Sequence, residues 1–244
     1  MSFIEQCFTM APGIGPKAEE KIKSIGYQSW ENIIADPQGL PLSSEKKSGL
    51  VNTVLKCQRL KEEGSLSQLI QLLPTKEHWR VFFDYSDKAS YFDIETTGIS
   101  LYDDEPTVIG CYHQDKMLVY LNGDNLDDFL DLLHDVELLV SFNGTSFDVP
   151  FVQEHFHIPT LPCPHVDLRW ICHHKGLKGS LKQIEKDIGL VRDDGVEGVD
   201  GREAIILWQK YKLYGMESAL KKLVDYCCAD VLGLVDLGKE IKYH

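Results

Sequence analysis

An α/β fold with a mixed five-stranded sheet flanked by helices, preceded by a small all-helical module, is what this 244-residue sequence predicts. Three observations carry that reading. Residues 1–75 show helical apolar spacing with turn residues between and no alternating pattern. From Trp79 onward short apolar segments are interleaved with helical ones. The first three of those segments follow one another through short turns, as an antiparallel meander requires.

The helical module takes residues 1–75. A short helix is predicted over 3–10 and ended by Pro12-Gly13-Ile14-Gly15-Pro16; a second, over 17–25, puts Ala18, Ile22 and Ile25 on one apolar face before Gly26 closes it. A longer amphipathic helix covers 44–63 and another 66–73, and Leu73-Pro74-Thr75-Lys76 reads as the linker to a second domain over 76–244. In that domain strands are predicted over 90–95, 107–113 and 117–122. A helix over 126–134, a strand over 137–142, a helix over 147–156, a last strand over 165–170 and several closing helices follow.

The net charge of −13 argues against a protein that coats nucleic acid through a broad basic surface. The acidity is uneven: residues 1–75 carry 8 basic and 8 acidic side chains, so the whole excess lies beyond them. Part of it is the run Asp124, Asp127, Asp128, Asp131, Asp135 and Glu137, which reads as a solvated helix face. No run of roughly eighteen apolar residues can span a bilayer, and MSFIEQCFTM lacks the flanks of a signal peptide, so the expectation is a cytoplasmic protein with no membrane partner. Seven cysteines, mostly inside apolar stretches, read as reduced buried thiols. Cys163-Pro164-His165 and Cys172-His173-His174 match no two-pair zinc spacing.

Acids stand in three separated segments where packing gives no reason for them. Alternation along a strand places Asp93 and Glu95 of Tyr91-Phe92-Asp93-Ile94-Glu95 on one face, with Phe92 and Ile94 on the other. Two like charges that close raise a pKa or demand a cation, and hard carboxylate oxygens suit Mg²⁺ or Mn²⁺. Asp148 falls in the first turn of a predicted helix that Ser146 is placed to cap, where the helix dipole favours it and Pro150 costs no hydrogen bond. Tyr226 and Asp230, four apart on a helix, face one cavity.

YFDIETTG, SFNGTSFDVPF and YCCAD resemble, in order and spacing, the three exonuclease motifs of DEDD nucleases, and Tyr226 makes the resemblance one to the DEDDy subgroup. Gly201-Arg202-Glu203-Ala204 and Leu207-Trp208-Gln209-Lys210-Tyr211 look like the YprB-type RNase H-like proteins, so the likeness spans roughly residues 80–240. It implies an RNase H-like fold and a 3′→5′ exonuclease that uses two Mg²⁺ or Mn²⁺ ions on single-stranded DNA or RNA and releases nucleoside 5′-monophosphates. In that scheme Asp93 bridges the two ions, Glu95 and Asp230 complete one site, Asp148 holds the other largely through water, and Tyr226 positions the attacking water. It also implies that Thr96, Thr97, Gly98 and Asn143 hold the terminal nucleotide and that Phe147 wedges against a base. Asp167 reads as a helix cap or supporting acid rather than a ligand. The competing class is a catalytically inactive binding scaffold of the same fold, against which the complete acid set argues.

The PGIG segment resembles a helix-hairpin-helix motif, which implies that Gly13, Ile14 and Gly15 present backbone N–H groups to a phosphate, with Lys17, Lys21 and Lys23 attracting it. Lys175, Lys178, Lys182 and Lys186 lie near a predicted helix after the last strand, where they can guide a strand's backbone or serve as solvated surface. The acidic, glycine-rich loop over 192–201 fails the EF-hand pattern and reads as a rim loop beside the cleft. A single hairpin of this kind also serves protein contacts or packing, and the sequence specifies no particular protein partner.

Overall fold

The computed structural model describes residues 2–190 and 201–243; the expected rim loop lies, but for Gly201, outside the described residues. Its contacts divide into two compact units, Met1–Tyr85 and Ser86–His244.

The first unit is all-helical. A single 3₁₀ turn, Ile4–Gln6, precedes α1 (Pro16–Ser24), α2 (Trp30–Ala35), α3 (Ser44–Glu62), α4 (Leu66–Leu72) and α5 (His78–Tyr85). The helix expected over 3–10 is therefore one turn, because distant side chains take its backbone groups. Asp84 accepts from the N–H of Phe3 (2.8 Å) and of Ile4 (2.9 Å), Glu19 accepts from the N–H of Phe8 (2.6 Å), and the Trp30 indole donates to the Cys7 carbonyl (2.8 Å). Arg80 reaches the Phe3 carbonyl (3.1 Å) while paired with Glu77 (2.8 Å). These bonds tie α5 to the N-terminal segment, so residues 76–85 group with the first unit rather than beyond a linker at 73–76.

The second unit is built on a five-stranded sheet ordered β3-β2-β1-β4-β5. Strands β1 (Ala89–Thr96), β2 (Pro106–His113) and β3 (Lys116–Leu121) form the antiparallel meander; β4 (Leu138–Ser141) and β5 (His165–Asp167) join parallel to β1. The helices are α6 (Asp128–Leu133), α7 (Asp148–His155), α8 (Leu168–His174), α9 (Leu181–Asp187), α10 (Gly201–Tyr214) and α11 (Glu217–Glu240). On one side of the sheet Phe92, Ile94, Ile109 and Leu139 pack with Phe129 and Leu133 of α6 and Phe151 and Val152 of α7. On the other, Val108 packs with Ala204, Leu207 and Trp208 of α10 and Leu223, Tyr226 and Cys227 of α11. Two apolar clusters thus sandwich β1 and β2, the arrangement that makes acids on β1 costly.

The strand expected over 165–170 ends at Asp167, because the Asp167 carboxylate accepts from the N–H of Arg169 (3.0 Å) and so caps α8. Among the described residues no helix is long and apolar enough to cross a membrane.

Candidate active site

Alternation along β1 sends Phe92 and Ile94 to the α6–α7 side and Asp93 and Glu95 to the α11 side. Helix α11 can come close there because Gly110, the β2 residue paired with Asp93, has no side chain. A Cβ at Gly110 would sit 3.0 Å from both Cys227 Sγ and Val231 Cγ2 of α11. The approach lays Cys227 Sγ, with a carboxylate oxygen from each of Asp93 and Glu95, in a group whose members all lie within 4.8 Å of one another. The Cys227 thiol donates to the Asp93 carbonyl at 3.6 Å. One residue before Cys227 and three after it, the same turns of α11 carry Tyr226 and Asp230 on the face that meets the strand.

Asp148 arrives from the loop after β4. Asn143 turns the chain with φ +64°, and Asp167 fixes the turn by accepting from the N–H of Asn143 (2.7 Å) and of Thr145 (3.1 Å). Gly144 is required for a steric reason: a Cβ there would lie 2.0 Å from Ser141 Oγ and 3.3 Å from Asp148 Oδ2. Helix α7 begins at Asp148 itself, with Phe147 as the residue before it and no side-chain cap. Ser146 therefore does not cap it; Ser146 lies in the 3₁₀ turn Gly144–Ser146. Asp148 Oδ1 accepts from the N–H of Ile94 at 3.2 Å, a direct tie between the α7 start and the acidic strand.

These elements enclose a cleft of about 460 Å³. Of the residues expected at a site, Asp93, Glu95, Thr96, Asn143, Phe147, Asp148, Tyr226 and Asp230 line it. Thr97 and Gly98 are not among its lining. They belong to the β1–β2 connection, where the Thr97 hydroxyl donates to Asp104 (2.9 Å) and the Gly98 carbonyl accepts from Thr96 (2.5 Å). In the first unit Gly13 (φ +78°) and Gly15 are exposed, but Ile14 is buried and its N–H donates to the Ala11 carbonyl at 3.1 Å, so that donor is already committed. The cleft also takes in Ile99, Phe142, Arg202 and Ile205, which were not expected there. Phe142 lies in the quoted SFNGTSFDVPF motif and Arg202 in the Gly201–Ala204 segment, whereas Ile99 and Ile205 carried no signal.

Crowding of acids dominates the electrostatics. Burial pushes the Glu95 carboxyl well above the usual carboxylate range, and Asp230 and Asp148 push it further, while Lys182 pulls it back. Asp148 rises to about 7 through burial, partly offset by backbone N–H groups including that of Ile94. The Tyr226 phenol is held above its ordinary value by burial, then by Asp230 and Glu95. Burial, then Asp93 and Glu95, do the same to the Cys227 thiol. Buried acids that share one cleft and resist ionisation fit a centre completed by divalent cations. Their oxygens are the hard donors that Mg²⁺ or Mn²⁺ prefers, and an oxygen from each of Asp93 and Glu95 lies within 4.8 Å of the other. Backbone N–H groups hold the Asp148 carboxylate in place, that of Ile94 on Oδ1.

A mixed sheet carrying carboxylates at the head of its central strand defines the class: an RNase H-like domain. The family model described as the RNase H superfamily matches residues 90–242, well over half of the chain, and the chain belongs to that superfamily. No curated protein sequence matches it. Among solved structures it is similar to the family B DNA polymerase of the hyperthermophilic archaeon Pyrobaculum calidifontis (TM-score 0.51, 16% identity), over 63% of this chain and 24% of the polymerase. It therefore spans about a quarter of that polymerase's length. A structure titled as the apo form of a nuclease aligns with TM-score 0.45 and 16% identity over 66% of this chain and 75% of that one.

Proposed function

We propose that the protein is a divalent-metal-dependent 3′→5′ exonuclease of the DEDDy, YprB-like kind, acting on single-stranded DNA or RNA and releasing nucleoside 5′-monophosphates. The observation that carries the reading is the convergence of Asp93, Glu95, Asp148 and Asp230 with Tyr226 on one cleft, from three elements far apart in sequence. Membership of the RNase H superfamily supports it.

In this reading Asp93, Glu95, Asp148 and Asp230 hold two Mg²⁺ or Mn²⁺ ions. When bound, the ions lower the pKa of water and neutralise charge at the phosphorus. The chain's own residues do the rest. Tyr226 holds the attacking water by hydrogen bond, and its raised phenol stays protonated through the working pH range, so it orients rather than deprotonates. Thr96 and Asn143 offer polar contacts to the terminal nucleotide, and Thr97 and Gly98 support them by shaping the turn. Phe147 and Ile99, the latter 86% exposed, offer apolar surface on which an unpaired base can rest. Arg202 brings a cation to a cleft that otherwise repels a phosphate chain. Gly13, Gly15 and Lys17 of the helix-hairpin-helix-like turn engage backbone phosphates, and the setting is the cytoplasm, where the thiols stay reduced.

The test is product analysis. Single strands of DNA and RNA with a free 3′ end are incubated with Mg²⁺ or Mn²⁺ beside strands whose 3′ end is blocked. The proposal requires mononucleotides shed stepwise from the free 3′ end and protection by the block. Internal cutting, or release from the 5′ end, refutes the polarity; binding without release by an otherwise folded protein points to the inactive scaffold.

A further inference from the structure

Asn143, which lines the cleft, is gripped by the residues that begin α8. Its backbone N–H donates to Asp167 at 2.7 Å, and its side-chain oxygen accepts from the Arg169 guanidinium. A guanidinium has donors only, so the amide atom that faces it must be the oxygen, and the NH₂ is left for the cleft. No group among the described residues accepts from that NH₂. Asn143 also sits at φ +64°, a backbone state that its bonds to Asp167 and Arg169 pin. The grip has a cost in free energy, because the Arg169 Nε–H is buried and meets no acceptor. Arg169 itself is not part of the cleft lining.

We propose that Arg169 is a positioning residue that turns Asn143 into a fixed, polarised donor to a non-bridging oxygen of the substrate's phosphodiester backbone. This deepens the exonuclease reading above and rests on it. A cation on the carbonyl oxygen draws electron density through the amide, which strengthens its N–H groups as donors. An anionic oxygen is the acceptor that gains most from such a donor. The arrangement carries the influence of a cation to a cleft crowded with carboxylates while keeping the guanidinium out of it. Placed among Asp93, Glu95 and Asp148, a guanidinium would pair with them instead of with the substrate. Without Arg169 the amide is free to turn and present its oxygen, which repels a phosphate.

Two measurements on the full chain test this. Cleavage kinetics are followed for wild type, Arg169→Met, Arg169→Lys, Asn143→Ala and the Arg169→Met/Asn143→Ala double variant. Loss of a donor to a charged acceptor predicts KM about 10-fold higher for Arg169→Met, with kcat changed less than about 3-fold and partial rescue by lysine. In the Asn143→Ala background the same change costs nothing further, since the amide it acts through is gone. Strands carrying one methylphosphonate linkage, moved along the chain and resolved by diastereomer, locate the contact. One linkage raises the wild-type KM and leaves Arg169→Met and Asn143→Ala unaffected. Multiplying losses in the double variant, a loss confined to kcat, or variants that keep the wild-type methylphosphonate pattern overturn the proposal. Independently, in protein labelled with ¹⁵N-asparagine, the side-chain NH₂ resonance missing from Asn143→Ala shifts in Arg169→Met and moves back part-way in Arg169→Lys. An unmoved resonance overturns the contact itself. A wild type as inactive as Asp93→Ala refutes the exonuclease reading instead, and the amide resonance then decides the Arg169–Asn143 arrangement alone.

Discussion

Asp148 accepts a hydrogen bond from the backbone N–H of Ile94 at 3.2 Å, and Ile94 stands between the two acids of β1. One bond thereby fixes the start of α7 against the strand that carries Asp93 and Glu95. It uses an N–H that lies beyond the β4 pairing of β1, which covers only residues 89–91. The carboxylate thus has two tasks, to satisfy a buried donor and to contribute charge to the cleft, and substitution separates them.

Asp148→Asn keeps an acceptor for Ile94 and removes a buried charge. Activity is expected to fall by at least about 100-fold while metal-free stability stays level or rises, as relief of a buried like charge predicts. Asp148→Ala loses both tasks and is expected to destabilise by about 1–3 kcal/mol through the orphaned Ile94 N–H. Urea denaturation of the two variants in chelator, beside cleavage assays, distinguishes them.

The same residue sets a pH dependence. Its pKa is raised from 3.8 unfolded to about 7 folded, so both states are protonated below about pH 4 and no penalty exists there. As pH climbs through that window the unfolded chain sheds the proton first, and stability falls until the folded group also ionises near 7. Glu95, shifted in the same direction, adds to the loss. Metal-free protein is therefore expected to melt on the order of 5–10 °C lower at pH 8 than at pH 5. Asp148→Asn should flatten that slope, and Mn²⁺ should stabilise more at pH 8 than at pH 5. Melting curves across pH, with chelator or Mn²⁺, provide the check.

Gly110→Ala tests how α11 is seated. A Cβ at 3.0 Å from Cys227 Sγ and Val231 Cγ2 must push the helix outward, at an expected cost of about 1–3 kcal/mol. Because Tyr226 and Asp230 ride on that helix, activity should fall more than for Gly→Ala at the half-buried Gly49 of α3, where a Cβ meets nothing within 4 Å. Paired denaturation and cleavage measurements on the two variants give the comparison.

Much of this centre was legible in the sequence, for a physical reason. Asp93, Glu95, Asp148 and Asp230 are groups that apolar packing rejects, so their spacing on strand and helix announces chemistry before any fold is known. The three-stranded meander was legible because its strands follow one another in the chain with no helix between them, and only residues 114–115 separate β2 from β3. The ends of elements were not. The strand over 165–170 stops early because Asp167 caps α8, and the helix over 3–10 shrinks to a turn because Asp84, some eighty residues on, takes its N–H groups. Ile99 and Ile205 reach the cleft by tertiary placement of ordinary residue types, which no local pattern marks. Thr97 and Gly98 stand next to the acids in sequence yet turn away, held by Asp104 and Thr96.

Asp93 is the acid on which the proposed centre depends, and its loss is the most direct test. Wild type and Asp93→Ala, shown by circular dichroism to be equally folded, are incubated with 3′-labelled single strands in Mn²⁺ and in chelator. Label release by wild type only in Mn²⁺, reduced by at least about 1,000-fold in Asp93→Ala, is the expected result. Equal release by both proteins, or release that persists in chelator, contradicts a metal-dependent centre built on the carboxylates of this cleft.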